Sequence, residues 1–280
     1  MPYNYEFFRV DLQEPVAILW LNKPEKRNAM DWSFWRDLPL VVKEIQQDEK
    51  IRAYVIAGEG KSFSTGLDLN EFFHRFSSAL HGKTADEREK LLHLILKMQE
   101  GMNAIQDSSK PCIAAIHKHC IGGGLDLIAA CDIRYATKDS IFSLREAKLG
   151  IVADMGSLNR LPYIIGGGYT RELALTAKDI SGEEAFRIGL VTKLFDSKDD
   201  LLKGAHSTAL AIASNPAIAI RGVKKVLNYC QDKSIKAGLE YVAAYNAGLL
   251  DSLDLQEAYN SFRDKKKPEF NRHRIPTLDI

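Results

Sequence analysis

The run RAYVIAG at residues 52–58 is apolar at nearly every position, and KPCIAAIHK at 110–118 and DIRYAT at 132–137 read as further strands of the same kind. A strand with one wet face alternates apolar and polar side chains, whereas a strand without that alternation is buried on both faces. Layers must then cover both sides of the sheet, so the chain is predicted to be α/β rather than an exposed antiparallel meander. With 280 residues, 45% of them apolar, there is material for one large domain or for one domain and an appendage.

Reading along the chain, YEFFRVDL and PVAILWLN are β-rich runs split by a turn-like QE, which predicts an opening hairpin. Asp31 is placed to cap a helix through WSFWRDLPLVVKEIQQDEK, with Pro39 expected to kink or divide it. A helix is predicted within 81–107, where Leu91, Ile95, Met98, Met102 and Ile105 form one stripe. After residue 168 the patterns are mainly helical, ending in a long one at 234–262. There Ile235, Leu239, Val242, Leu249 and Leu253 recur at helical spacing around a polar Asn246, and the stripe is expected to pack in the core. The outline is an α/β body over 1–200 and a helical region over 201–280, with no internal repeat visible in the sequence.

Charge excludes some partners. The 38 basic residues against 37 acidic ones leave a net +1, which supplies no field for nucleic acid or an anionic membrane. The N-terminal residues show neither a secretory nor a transit pattern, and no stretch approaches the roughly 18 apolar residues of a membrane span, so a cytoplasmic protein is expected. Cys112, Cys120, Cys131 and Cys230 lack CxxC pairing and sit in apolar segments, where buried free thiols are expected. His117, His119 and Cys120 in HKHC make a poor ligand set, and no metal is expected.

Several nucleotide and hydrolase motifs fail on one residue each. VIAGEGKS ends like a phosphate-cradling loop, but Val55 stands where the first glycine is needed. GKSFS lacks the closing glycine of a nucleophile elbow, and GGGLDL lacks dinucleotide-binding spacing. What remains is a pair of glycine turns, SFSTGLDL and CIGGGLDL, each following a buried strand. Glycine lets backbone amides approach a ligand, and a helix start offers unpaired N–H groups, so two such turns side by side can aim two donors at one oxygen. That is an oxyanion hole. Three acids stand near these segments: Asp126, Glu146 and Asp154, the last among Ile151, Val152, Ala153 and Met155. Asp126 alone also fits a first-turn acid favoured by the helix dipole. Asp132 and Asp139 fit capping or turn roles better.

Five ordered segments, LNKPEKRNAM, GKSFSTGLDL, KPCIAAIHKHCIGGGLDLIAACDIRYAT, FSLREAKLGIVADMGSLNRLP and ISGEEAFRIGLV, resemble the crotonase (enoyl-CoA hydratase/isomerase) superfamily along almost the whole chain. The resemblance implies a crotonase-like ββα spiral core of four turns and a helical C-terminal region used in trimer assembly, with a homotrimer or a hexamer of two trimers as the expected state. It implies an acyl-CoA substrate whose thioester oxygen is held by the amides of Leu67 and Gly123, with no cofactor beyond that substrate. Ser64, Thr65, Gly66 and Asp68 of the first turn, with Lys26, Arg27 and Ala29 of the KPEKRNAM loop, are the implied substrate-binding residues. One departure is Lys118, where the family commonly has glycine.

The acids decide the subfamily. Hydratases of this family carry glutamate at both the 126 and 146 positions, but the set Asp126, Glu146, Asp154 resembles the Δ3,5-Δ2,4-dienoyl-CoA isomerases. In that resemblance two acids move a proton between C2 and C6 of a 3,5-dienoyl-CoA to give the 2,4-dienoyl-CoA, with Glu146 assigned to C2 and Asp154 to the distal carbon, and with the reverse labels open. The alternatives are an enoyl-CoA hydratase, another crotonase activity, or a non-catalytic acyl-CoA binder. Three carboxyl groups in one apolar pocket cannot all ionise freely, so at least one is expected to titrate high.

Overall fold

Alternate residues of the apolar strands face two separate cores. The computed structural model describes residues 3–270. In chain order its elements are β1 (Phe8–Gln13), β2 (Val16–Leu21), α1 (Trp32–Gln47), β3 (Ala53–Gly58), α2 (Leu69–Arg75), α3 (Ser77–Leu80), α4 (Ala85–Asp107), β4 (Cys112–Ile116), β5 (His119–Ile121) and α5 (Gly123–Ala129). They continue with β6 (Ile133–Thr137), β7 (Ile141–Ser143), α6 (Ser157–Thr176), β8 (Asp179–Ser181), α7 (Gly182–Arg187), β9 (Lys193–Phe195), α8 (Lys198–Ala213), α9 (Ala217–Cys230), α10 (Ile235–Leu249) and α11 (Ser252–Arg263). β1 and β2 form the expected hairpin, and β2, β3, β4, β6 and β9 continue the main sheet in parallel. Leu19, Leu21, Tyr54 and Ile56 enter the larger core with α1 and α4, while Val16, Ile18, Ala53 and Val55 meet Leu201, Ala205 and Ala209 of α8 on the opposite face. Both faces are dry, which is why no polar residue alternates in.

A second, smaller layer runs alongside. β5, β7 and β8 form a three-stranded sheet, and single bridges extend it from Cys120 to Ser64 and from Leu67 to Met30. Each of β2, β3, β4 and β6 is thus followed by an extended segment in the second layer and then by a helical segment, four turns of a ββα spiral. The repeat is one of backbone path, so it left no repeated residues to read.

Asp31 caps α1 by accepting the Phe34 amide at 3.3 Å, and Pro39 lies inside the helix without dividing it. Phe34, Trp35, Leu38, Val42 and Ile45 hold that helix in the core, and packing outweighs the lost hydrogen bond. Three expectations need correction. The boundary at 200/201 falls inside α8, because that helix covers the second face of the main sheet. The pattern at 234–262 is two helices, since Asp251 accepts the amides of Leu253 and Asp254 and starts α11. Its stripe is not core within the described residues: Ile235 is 84% exposed and Leu239 62%, with Leu249 and Leu253 also exposed. Residues 271–280 of the expected C-terminal region lie outside the described residues. Cys112, Cys120 and Cys131 are buried free thiols, but Cys230 is only half-buried. No helix among the described residues is long and apolar enough to cross a membrane.

One buried cation ties the C-terminal helices to the body. Lys224 of α9 donates to the Ile105 carbonyl at 3.0 Å and to Asp132 Oδ2 at 2.8 Å, and Asp132 in turn accepts the Cys112 amide at 2.7 Å. Asp132 does stand just before β6, but its partners are distant in sequence, in place of the capping or turn role expected of it. Replacing Lys224 with Met keeps the bulk but leaves the Ile105 carbonyl without its donor, while exposed Asp132 keeps the Cys112 amide and meets water, so Lys224→Met is expected to cost about 1–3 kcal/mol in urea denaturation.

Candidate active site

The bridges of the second layer bring the two glycine turns into contact. Ser64 donates its amide to His119 O at 2.9 Å and accepts the Ile121 amide at 3.1 Å, while Met30 donates to Gly66 O at 2.7 Å and accepts from the Asp68 amide at 3.0 Å. Gly66 has φ +84°, and a Cβ there would stand 2.7 Å from Ile121 O and 3.3 Å from the Gly123 nitrogen. Only glycine fits both the conformation and the approach. In a parallel bridge the residue between two bonded groups turns its own amide the other way, so the Leu67 N–H points away from Met30. Gly123 opens α5, where an amide has no acceptor within the helix. Neither amide donates to an acceptor among the described residues.

A cavity of about 480 Å³ lies at these turns, lined by Thr65, Gly66, Leu67, Gly122 and Gly123 and by all three acids, Asp126, Glu146 and Asp154. Its walls are apolar, with Trp35, Leu69, Phe72, Leu91, Ile95 and Met98 among them. The stripe of α4 thus does two things: Met102 and Ile105 are core, while Leu91 and Ile95 face the cavity. Periodicity showed the stripe but not this division.

Each acid arrives from a different element. Asp126, 1% exposed in the first turn of α5, accepts the amide of Ser157, the first residue of α6, at 2.7 Å. It therefore works as a helix-end acid and also borders the cavity. Glu146 follows β7, has its Oε2 buried with no partner among the described residues, and brings Oε1 to 3.1 Å from where a Cβ on Gly122 would stand. A side chain at 122, where φ is +52°, would press on that carboxylate. Asp154 lies before α6, and its carbonyl accepts Gln99 Nε2 of α4 at 2.7 Å. Val152 beside it is exposed, so the apolar surroundings of Asp154 come from other elements as much as from its own neighbours.

The other expected substrate-binding residues are divided. Thr65 lines the cavity, but Ser64 is fully buried, donating Oγ to Asn28 O at 2.8 Å and accepting the Gly66 amide at 3.1 Å. Its hydroxyl is used inside the wall and holds the turn. Lys26, Arg27 and Ala29 sit on the adjoining loop outside the cavity lining, and Lys26 Nζ is paired with Asp68 Oδ2 at 2.9 Å. Asp68 also caps α2 through the Glu71 amide. Sequence reading missed Asn28, whose side-chain amide donates to Glu59, Ser62 and Phe63 carbonyls and ties the two loops together. Arg160 was missed as well; its charge favours the ionised form of Asp126 from α6, an influence no local signal announces.

Lys118 adopts φ +54°, the left-handed conformation that glycine takes readily, and its Nζ reaches out to Asp139 at 2.6 Å. The bonds at His119 and Ile121 are kept, so the turn carrying Gly123 remains in register. His117 Nε2 meets Gly60 O at 3.1 Å and His119 Nδ1 meets Ser62 Oγ at 3.0 Å. The two rings thus serve separate contacts.

Residues 11–273 match the sequence profile of a family described as enoyl-CoA hydratase/isomerase. The chain belongs to that family. It is 40% identical over 266 residues to the peroxisomal Delta(3,5)-Delta(2,4)-dienoyl-CoA isomerase of Arabidopsis thaliana, covering 95% of this chain and 96% of that one. It is 39% identical to the mitochondrial enzyme of the same name from Rattus norvegicus, covering 94% of this chain and 81% of that one. Among solved structures, a putative enoyl-CoA hydratase from Streptomyces coelicolor A3(2) superposes with a TM-score of 0.88 at 29% identity, covering 98% of this chain and 96% of that one. The fold is the crotonase fold and the protein is an enzyme of the isomerase type. The expectation of a cytoplasmic protein stands apart from these relatives, whose names place them in peroxisomes or mitochondria.

Electrostatics at the family site follow from burial. Asp126 is pushed up to about 6 by burial, against the pull of the Ser157 amide and with the nearby Asp154 raising it further. Glu146 is pushed up to about 7 by burial and then by Asp126 and Asp154. Asp154 is raised by burial. A carboxyl raised on folding favours the fold in its neutral form, so its contribution is full below about pH 4 and is lost as pH rises through about 6. Asp126→Asn carries no such dependence. Its stability relative to wild type is expected to improve by on the order of 3 kcal/mol between pH 4 and pH 8, measured by chemical denaturation at both.

Proposed function

We propose that the protein isomerises a 3,5-dienoyl-CoA to the 2,4-dienoyl-CoA. The observation that carries this reading is the convergence of three carboxyl groups and two unpartnered amides on one apolar cavity. The thioester oxygen lies between the Leu67 and Gly123 amides, which stabilise the enolate and make the C2 proton removable by a carboxylate. Glu146, packed against the Gly122 turn beside the Gly123 donor, is the group nearest the thioester end and takes the C2 proton. Asp154, on the side of α4, delivers a proton to C6. Asp126 stays on the Ser157 amide and sets the charge balance of the other two. The dienoyl-CoA isomerase relatives support the assignment. Every proton transfer is given to a carboxyl group, so the reaction calls for no cofactor beyond the CoA thioester itself. The nucleotide end of CoA runs along the loop of Lys26, Arg27 and Ala29, where exposed Arg27 is the available cation.

The exposed leucines of α10 and α11 fit assembly into a homotrimer or a pair of trimers, which would bury the stripe the monomer leaves in water. Sedimentation should then give three or six copies, and Leu239→Glu, placed on that stripe, should shift the protein toward monomer.

Isomerisation needs one proton shared between Glu146 and Asp154. Activity is expected to fall as pH rises through about 7, where the last proton leaves, and to fall again on the acid side as a second proton goes on. A flat profile from about pH 5 to 9, with chemistry rate-limiting, would count against the shuttle. Appearance of the 2,4-conjugated chromophore from a 3,5-dienoyl-CoA tests the activity directly. Asp154→Asn should lower it by roughly 100- to 10,000-fold. Efficient hydration of a 2-enoyl-CoA by wild type and by this variant alike, with no diene isomerisation by either, would make the protein a hydratase instead.

A further inference from the structure

A further cavity, of about 340 Å³, shares Asp154 and Met155 of its wall with the substrate cavity. Its lining is polar where the substrate cavity is apolar: Gln99, Asn103 and Gln106 of α4, Asn159 and Arg160 of α6, and Gln231 after α9. Of the three acids, only Asp154 borders both cavities. The wall is built rather than incidental. Arg160 lies across it, donating to Gln106 Oε1 at 2.6 Å, to Asn103 Oδ1 at 2.7 Å and to the Met155 carbonyl at 3.3 Å, and Gln99 is fixed on the Asp154 carbonyl at 2.7 Å. A site of this size and polarity holds about ten waters at liquid density.

The isomerase reading, on which this inference rests, gives such a cavity a purpose. In one turnover the C2–H bond breaks, its proton goes to Glu146, and its electron pair enters the enolate; a C6–H bond then forms with the proton of Asp154. Substrate and product have the same atoms, but the enzyme ends with Glu146 protonated and Asp154 ionised, the reverse of its starting state. Before the next turnover one proton must leave Glu146 and one must reach Asp154. Glu146 borders only the substrate cavity, which empties when product leaves. We propose that the polar cavity is the proton port of Asp154: water held there returns a solvent proton to Asp154 after each turnover, while Glu146 releases its own through the vacated substrate cavity. The net count of protons is zero, and the two ends of the shuttle reset by separate routes.

The alternative is an internal return from Glu146 to Asp154 by way of Asp126, and an isotope separates the two. A 3,5-dienoyl-CoA carrying deuterium at C2 is turned over many times in ordinary water, and the product is analysed for label at the distal carbon. With the port open, the distal carbon carries hydrogen and the deuterium removed from C2 appears in water. Asn159→Phe, at an exposed lining position away from the reacting groups, fills the port; Gln231→Phe does so from the other side. Either is expected to leave the first turnover at the wild-type rate, because enzyme equilibrated with solvent before mixing holds the same fraction of the reactive form, with Glu146 ionised and Asp154 protonated, and to slow later turnovers by roughly tenfold or move C2 label to the distal carbon. Asn159→Gln, which keeps the lining polar, should behave as wild type. The port is overturned if wild type itself carries most of the C2 label to the distal carbon, or if both phenylalanine variants, folded by circular dichroism, match wild type in label and in steady state. Failure of wild type to form the conjugated product at all would remove the isomerase reading, and the port with it, and is seen in the chromophore before any label is counted.

Discussion

The site depends on a pair of backbone bridges. Ser64 bonds across to His119 and Ile121, which draws together turns more than fifty residues apart, and Met30 bonds across to Gly66 and Asp68, which fixes the first of those turns on the preceding loop. Once they form, the amides of Leu67 and Gly123 have no acceptor among the described residues, and both residues line the cavity. The hydroxyl of Ser64 and the side chain of Asn28 reinforce the same turns from behind. The backbone path at Leu67 and Gly123 is thus set by main-chain pairing in the second layer, and the side chain of Leu67 has little to do with it.

Against that fixed feature, the fold holds three carboxyl groups in surroundings that resist their ionisation. Burial is the largest influence on each, and mutual repulsion adds to it for Asp126 and Glu146. Such an arrangement lowers stability at neutral pH and raises the proton affinity of the site into the range where a carboxyl group can serve as acid and as base. The stabilisation that offsets it lies elsewhere, in two dry cores on either face of the main sheet and in the buried Lys224 anchor to Asp132.

α4 links these two demands. Its C-terminal half packs Met102 and Ile105 into the core, and Gly101 lets Leu38 of α1 come close; its N-terminal half lines the apolar cavity, and Gln99 at the junction holds the Asp154 carbonyl. One helix therefore sets the distance between Asp154 and the body of the protein, while its polar edge, with Asn103 and Gln106, forms part of the wall of the second cavity.

Strands dry on both faces, the opening hairpin, the Asp31 cap, the two glycine turns and the three acids were all legible in the chain, because propensity, period and residue type are local properties. The pairing of the turns was also anticipated, through chemistry: two glycine-rich turns and nearby acids make sense together. What only the tertiary structure decided was everything that depends on which segment lies opposite. Ser64 turned inward to hold its turn, Lys26 went to Asp68, and α8 joined the main sheet across the expected boundary. The stripe of α10 and α11 pointed to water, since a helical period says that one face is apolar and is silent on what that face meets. The proton affinities of Asp126, Glu146 and Asp154 belong to the same class: burial and the approach of other charges set them, and those come from residues far away in sequence.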